Sequence, residues 1–477
     1  MSTSIRGSEC TDTTIPAPAV GLRPPTTEDA GFKEGAEKIQ ERTLPPILGS
    51  NADIPEGGVA AWSTAVGSFL VQFCCFGYTS SFGVYQDFFA QTYLTNESPS
   101  AISLFSYHAL LLVHCCSWIG SLNAFLVVGG GLVAGQLYDR GYFYHLVIGG
   151  TLLQSFSLFM LSLAKPDRYY QAFLALGVGS GLAEGLLYVP SMAVLSHYFQ
   201  KRRTLVMAFV ACGSSIGSVV HPIMLNNLLN GPVGFANGIR ASAGLVSGLL
   251  AIACLLMRTR LPPPQTPAHY FLAAKRCSRD LPFILATAGS AFGSVGIYFP
   301  LFYLQLDSAT HGLSQSFSFY TLVILNASNF VGRSTSGIIA KYTKVPILMI
   351  LSATGCSVLI FGMIGLSNIP KFIVLEIIYG YFAGVYIAMS APLMPILTTD
   401  MSELGARMGI FFAITGLGNL IGSPINGALL TSQYHWWIPC VFSGVMSLAG
   451  AAFFTLMQVV IRRRKHTQET IPAPTKA

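Results

Sequence analysis

Of 477 residues, 52% are hydrophobic and 10% are charged. Soluble domains carry about 25% charged residues, so this chain cannot coat several water-facing domains, and its apolar content excludes a disordered chain. With 48 Gly and 32 Phe the composition is that of a polytopic membrane protein, in whose helices Gly is frequent. The net charge of +7 raises nucleic acid as a partner, and the placement of the charges decides against it. The ten cysteines are scattered without a C-x-x-C pair or disulfide spacing. No metal and no cofactor is therefore expected.

Residues 1–58 are polar and Pro-rich, without the apolar core of a signal peptide. They are expected to form a disordered cytoplasmic tail. From Trp62 onward, apolar stretches recur that are each long enough to cross a bilayer core of about 30 Å. The expected spans are 61–85, 118–138, 144–164, 170–196, 204–227, 237–257, 282–304, 316–340, 346–366, 371–397, 405–430 and 435–461. The polar stretch 258–281 divides them six and six, which predicts an all-α membrane protein of twelve transmembrane helices in two pseudo-symmetric bundles. The domains follow as an N-terminal bundle over 59–257, a cytoplasmic linker over 258–281, a C-terminal bundle over 282–461 and a cytoplasmic tail over 462–477.

Charge tests this topology. With the N-terminus inside, sixteen Lys and Arg fall on inward loops and edges, among them Arg140, Lys201, Arg202, Arg203, Arg407 and Arg462. Only Lys165, Arg168, Arg240 and Lys371 fall outward. That is a strong positive-inside bias, with both termini cytoplasmic and the plasma membrane the expected location. It leaves no basic face for nucleic acid. Residues 104–117 (LFSYHALLLVHCCS) do not fit, since a thirteenth span there would invert every loop on one side of it. They are expected to be an outward loop or a segment lying on the membrane surface. Asn96, in the sequon NES, is a candidate glycosylation site on the same outward loop, although Pro99 follows it.

The halves repeat internally. A shift of 202 residues sets Pro190 on Pro392, Met192 on Met394, Phe209 on Phe411 and Pro222 on Pro424. Such symmetry is expected of a transporter whose site lies between two bundles near the membrane midplane.

The loop before helix five reads YFQKRRTLVMAFVACGSSIG (198–217), with Tyr198, Phe199, Lys201, Arg202 and Arg203 ahead of small residues. Small residues let helix backbones approach in lipid. This string resembles the helix-five signature of the monocarboxylate porter family of the major facilitator superfamily. EGGVAAW (56–62) resembles that family's lead-in to helix one, and GARMGIFFAITGLGNLIGSPINGALL (405–430) is similar to helix eleven of its fungal members. The family runs directly from SPS-x-IS into WIGSL, so 104–117 stands as a family-foreign insertion, or as translated intron sequence from a mistaken gene model. Of the superfamily loop G-x-x-x-D-R, Gly135, Asp139 and Arg140 are present, and the resemblance makes Asp139 a gating residue that pairs with Arg140 or with an adjoining helix, a solvated surface pair being the alternative. The G-x-x-x-G-P-x-x-G-G motif of drug–proton antiporters is absent.

Arg333 lies in the middle of helix eight (NASNFVGRSTSG) with no neighbouring acid. A central Arg costs about 2.5–3.5 kcal/mol on insertion scales, and in a cavity its guanidinium can hold a carboxylate in a bidentate fork. A structural Arg satisfied by carbonyls is the alternative. The resemblance implies an Arg here with an Asp one turn earlier, where this chain has Asn329, and a Lys late in helix one, where this chain has Ser80. Glu184, Glu376 and His221 are the titratable groups inside spans that could carry a proton. Packing, or snorkelling for Glu376, is their alternative role. Tyr78, Asn326, Tyr298 and Tyr379 complete the candidate cavity-lining set.

The expected function is alternating-access transport of a small organic anion or metabolite, with the bilayer, that solute and protons as partners. Efflux of a fungal secondary metabolite and proton-coupled monocarboxylate uptake are the two forms it takes. A membrane enzyme would need a nucleophile, metal or phosphate constellation, and none stands out. A non-transporting nutrient sensor is the remaining class, and such proteins signal through a long soluble tail.

Overall fold

The computed structural model describes residues 56–82, 84–85, 88, 119–120, 122–165, 169–261, 270–313, 315–430 and 435–470. Residues 104–117, Asn96 and most of the expected N-terminal tail lie outside the described residues.

Among the described residues, ten helices are long and apolar enough to cross a membrane. In chain order the bundle helices are α1 Val59–Thr79, α2 Gly131–Asp139 (with helical residues 122–129 before it), α3 Phe143–Leu161, α4 Tyr170–His197, α5 Arg203–Leu229 and α6 Gly234–Leu256. The second set is α7 Leu281–Thr310, α8 Gln315–Ile339, α9 Val345–Gly362, α10 Ile369–Leu397, α11 Leu404–Leu429 and α12 Trp437–Thr470. α2 and α8 stand at the second and eighth expected spans. α8 is long enough but is not among the ten, because it carries Asn326, Asn329 and Arg333 on one stretch.

Two features depart from the sequence reading. α12 runs on through Thr470, past the expected boundary at residue 461, and Arg464 on this extension reaches Asp280 at 3.0 Å. The linker holds a short helix, Tyr270–Cys277. In α4, Phe173–Ser180 winds as a π-helix, a form frequent at functional sites.

Lipid, not water, explains the outer surface. Leu152, Leu174, Leu255, Val358 and Val445 are each more than half exposed, a pattern that would be an aggregation liability in water. Inside, glycines let backbones touch. A Cβ on Gly77 of α1 would lie 2.6 Å from Gly217 Cα of α5, so this crossing admits no side chain. The first six helices pack on one another, as do the last six, and α5 against α8 and α2 against α11 join the two bundles.

Candidate functional site

A cavity of about 50 Å³ lies where the bundles meet. Its wall includes Gln72 and Phe76 of α1, Tyr188 of α4, and Ala211 and Ser214 of α5. The second bundle contributes Tyr298 of α7, Arg333 of α8, Ser390 of α10, and Phe412 and Asn419 of α11. Tyr188 bridges the bundles, with its ring 4.9 Å from Phe76 and 5.0 Å from Phe412. That gives an aromatic wall beside one cation.

Arg333 is buried. Its Nε donates to Asn329 Oδ1 at 2.6 Å, and its Nη1 donates to Ala211 O at 2.8 Å and to Ser214 Oγ. Asn329 Oδ1 also accepts from Ser215 Oγ at 3.1 Å. The guanidinium therefore ties α8 to α5 across the bundle interface, and each of these partners is neutral. A buried cation without a carboxylate is costly until an anion joins it, and the cavity wall is where one can arrive.

The other sequence candidates separate into groups. Tyr298 lines the cavity together with Arg333. Asn329 stands behind Arg333 as its acceptor. Ser80 bonds Ser218 Oγ at 2.7 Å between α1 and α5, and Asn326 bonds Leu322 O within its own helix. Tyr78 is buried inside the first bundle, where it bonds Tyr85 and meets the His221 ring at 5.3 Å. The His221 ring lies 4.7 Å from the Phe73 ring at a tilt of 50°, and Tyr379 bonds Ile297 O inside the second bundle. Glu184 is wholly buried among neutral donors, and Glu376 is wholly buried with no hydrogen-bond partner for either oxygen among the described residues. Of these, only Tyr298 and Arg333 reach the cavity wall, because alternate faces of each helix look into its own bundle.

At the face carrying the basic loops, Asp139 does not pair with Arg140, which is exposed. Its carboxylate instead caps the start of α11, with Oδ1 3.0 Å from Gly405 N and Oδ2 2.7 Å from Ala406 N. A helix N-terminus has free N–H groups and positive dipole charge, so a carboxylate is its natural cap. The Gly135 Cβ position overlaps Gly405 O, so only glycine lets α2 come this close. Beside this latch, Arg276 pairs with Glu403 at 2.6 Å and Arg407 with Asp280 at 3.2 Å. Asp400, bonded by the Ser402 hydroxyl and N–H, is held below the usual carboxylate range.

The two N-terminal sequence motifs meet here. Glu56 accepts from Gln200 N at 3.1 Å, Lys201 N at 2.6 Å and Arg202 N at 3.1 Å. Slight burial pushes its carboxyl up, but these backbone bonds and the Lys201 charge outweigh that and hold it below its ordinary value. Trp62 packs edge-on against Phe199 at 5.6 Å, Tyr198 Oη donates to Arg258 O at 3.0 Å, and Arg203 Nε donates to Phe199 O at 3.1 Å. The signature residues thus build the joint between the 4–5 loop and the start of α1. Glu56 and the α11 N-terminus were missed as partners, although an acid before GG and a glycine opening a helix were both visible.

Removal of the Asp139 cap has a defined consequence. In Asp139→Asn an N–H₂ group replaces one acceptor that faces a backbone N–H, and each charge-assisted bond is worth about 1.5–3 kcal/mol. Transport is expected to fall about three- to tenfold. A cysteine placed at Ser390 should be labelled faster from the basic face, as measured by thiol labelling in membranes.

Twelve helices in two bundles, with a buried cation and an aromatic wall where the bundles meet, define a membrane transporter. The chain matches the Major Facilitator Superfamily over residues 69–398 and 336–477, and belongs to it. It is 34% identical over 419 residues to the aspyridones efflux protein of Emericella nidulans, covering 87% of this chain and 81% of that one. It is 33% identical over 412 residues to the fujikurins efflux protein of Gibberella fujikuroi, covering 83% and 82%. The fold is also that of the proton:xylose symporter XylE, with a TM-score of 0.66 at 15% identity over 83% of this chain and 95% of that one.

Proposed function

We propose that this transporter exports small organic acids or acidic metabolites across the plasma membrane, with its basic face and both termini in the cytoplasm. The observation that carries the reading is Arg333, a buried cation on the cavity wall whose hydrogen-bond partners are all neutral. A carboxylate or enolate of the solute supplies the missing anion and accepts from Nη2, the guanidinium nitrogen for which no partner stands among the described residues. Tyr188, Phe76 and Phe412 offer ring surface for the rest of the molecule. Export is supported by the printed names of the two fungal relatives, and membership in the monocarboxylate-porter branch by the string at 198–217. Binding proceeds by alternating access at the midplane between bundles.

The test is flux of a matched pair, an aromatic carboxylate and its methyl ester, through the purified protein in liposomes. After subtraction of leakage through protein-free liposomes, the acid is expected to move at least about tenfold faster than the ester. That ratio corresponds to about 1.4 kcal/mol of discrimination. Equal protein-dependent rates for the two would overturn the reading.

A further inference from the structure

Glu184 lies wholly buried inside the first bundle, off the cavity wall. Side chains of α1, α3 and α4 itself bond it, and the stretch before α2 joins through Thr79. Thr79 Oγ1 of α1 is 2.7 Å from Oε2, Gln154 Nε2 of α3 is 3.2 Å from Oε1, and Ser180 Oγ of α4 itself is 3.1 Å from Oε1. Thr79 Oγ1 is also 3.0 Å from Asn123 Oδ1 on the helical stretch before α2, and Ser180 Oγ is 3.0 Å from Gln154 Oε1. Asn123 Nδ2 donates to Leu176 O at 2.9 Å, a carbonyl within the π-helical stretch of α4.

Each hydroxyl owns one hydrogen, so Thr79 and Ser180 cannot make both of their bonds at once. With Glu184 ionised, Thr79, Ser180 and Gln154 all donate to the carboxylate. With Glu184 protonated, its own O–H donates to Thr79 Oγ1. Thr79 then turns its hydrogen to Asn123 Oδ1, and Ser180 turns to Gln154 Oε1. The heavy atoms need not move between the two forms, and Glu184 keeps hydrogen-bond partners in both. The protonated form satisfies every member, whereas the ionised form draws the donors away from Asn123 Oδ1 and Gln154 Oε1, and a buried polar group without its bond is costly, so this conformer favours the bound proton.

We propose that Glu184 is a proton-binding site of the transport cycle, separate from the Arg333 cavity, and that Thr79 reads its state by switching its hydroxyl between α4 and α2. Nothing in this depends on which solute meets Arg333. The site sits one helical turn from the cavity wall, since Tyr188 follows Glu184 by four residues and Phe76 precedes Thr79 by three. A change of partner at Thr79 alters how α1 is held against α2 and α4, directly behind two wall residues. The titratable groups around it are Cys74, Cys75 and Tyr78 of α1. α3 presents Gln154 and the stretch before α2 presents Asn123, neither of which titrates. A metal cation fits less well, because the Gln154 N–H₂ faces the carboxylate where a cation would need a lone pair. Glu184 has no exposure in this conformer, so its proton exchanges when the bundles part.

The test needs no solute. Infrared difference spectra are recorded on the full-length protein in lipid vesicles stepped from roughly pH 5 to roughly pH 10, a range that brackets documented buried carboxyls. The wild type is expected to lose a carboxylic-acid C=O band at the higher pH. That band should be absent from Glu184→Gln and present in Glu376→Gln, which removes the other buried acid. In Thr79→Val it should persist with a shifted frequency and midpoint, a readout available even where Glu184→Gln folds poorly. A difference spectrum unchanged by Glu184→Gln, or by Thr79→Val, would overturn the proposal. So would a band that responds to added sodium ions and not to pH, which would make the site one for a metal cation.

Discussion

Arg333→Ala is expected to reduce transport of an acidic solute about a hundredfold or more, while the protein reaches the membrane in normal amount. Three facts set the size. Arg333 is buried on the cavity wall, it is the cation there, and its partners Asn329, Ala211 O and Ser214 are neutral. Truncation of one member of a buried, hydrogen-bonded charge pair costs about 2–5 kcal/mol or more, which is about thirtyfold to several thousandfold. The variant leaves Ala211 O without its Arg333 bond and removes one tie between α5 and α8. Packing of those helices rests on many other contacts, including Ser215 to Asn329, so assembly survives. Arg333→Lys is expected to keep under about a tenth of the flux, because an ammonium is a point charge with three donors and cannot hold Asn329, Ala211 O, Ser214 and the solute at once. Flux of the acid measured in liposomes, normalised to protein content, checks both. Full activity in Arg333→Ala would remove the arginine from the solute site.

The fold was readable because its causes are local and periodic. Apolar length marks a span, charge at loop ends orients it, and α8 matches the expected span 316–340 to within one residue even with an Arg in its middle. The overrun of α12 past residue 461 was not readable, since Arg462 to Arg464 look like a stop to a hydropathy count and are equally at home on a solvated helical turn. The site was legible only as far as single residues advertise themselves. Arg333 did so by its cost in lipid. Glu184 was visible as an acid in a span, but Thr79, Asn123, Gln154 and Ser180 come from four places along the chain, and no spacing rule gathers them. Tyr78 and Tyr379 point the other lesson: a tyrosine in a span has two faces to choose from, and both of these turn into their own bundle. The Asp139 latch needed the partner helix as well as the motif, because its acceptors meet backbone N–H groups that any residue could supply.

Asn329→Asp places a carboxylate where the amide oxygen already receives Arg333 Nε at 2.6 Å and Ser215 Oγ at 3.1 Å. No side chain has to move. The change is electrostatic, since the guanidinium gains an internal counter-ion one helical turn away and the cavity loses its net positive charge. Two unit charges about 4 Å apart interact by about 4 kcal/mol at an effective dielectric of 20, and an incoming anion must now compete with that pair. Flux of the aromatic carboxylate is expected to fall about tenfold or more, while flux of its methyl ester holds or rises, so that the acid-to-ester ratio collapses toward one. This outcome separates charge from shape, because Arg333→Ala removes both and Asn329→Asp removes only the unpaired charge. An acid flux in Asn329→Asp equal to that of the unaltered protein would mean that the solute reads the outline of the guanidinium and not its charge.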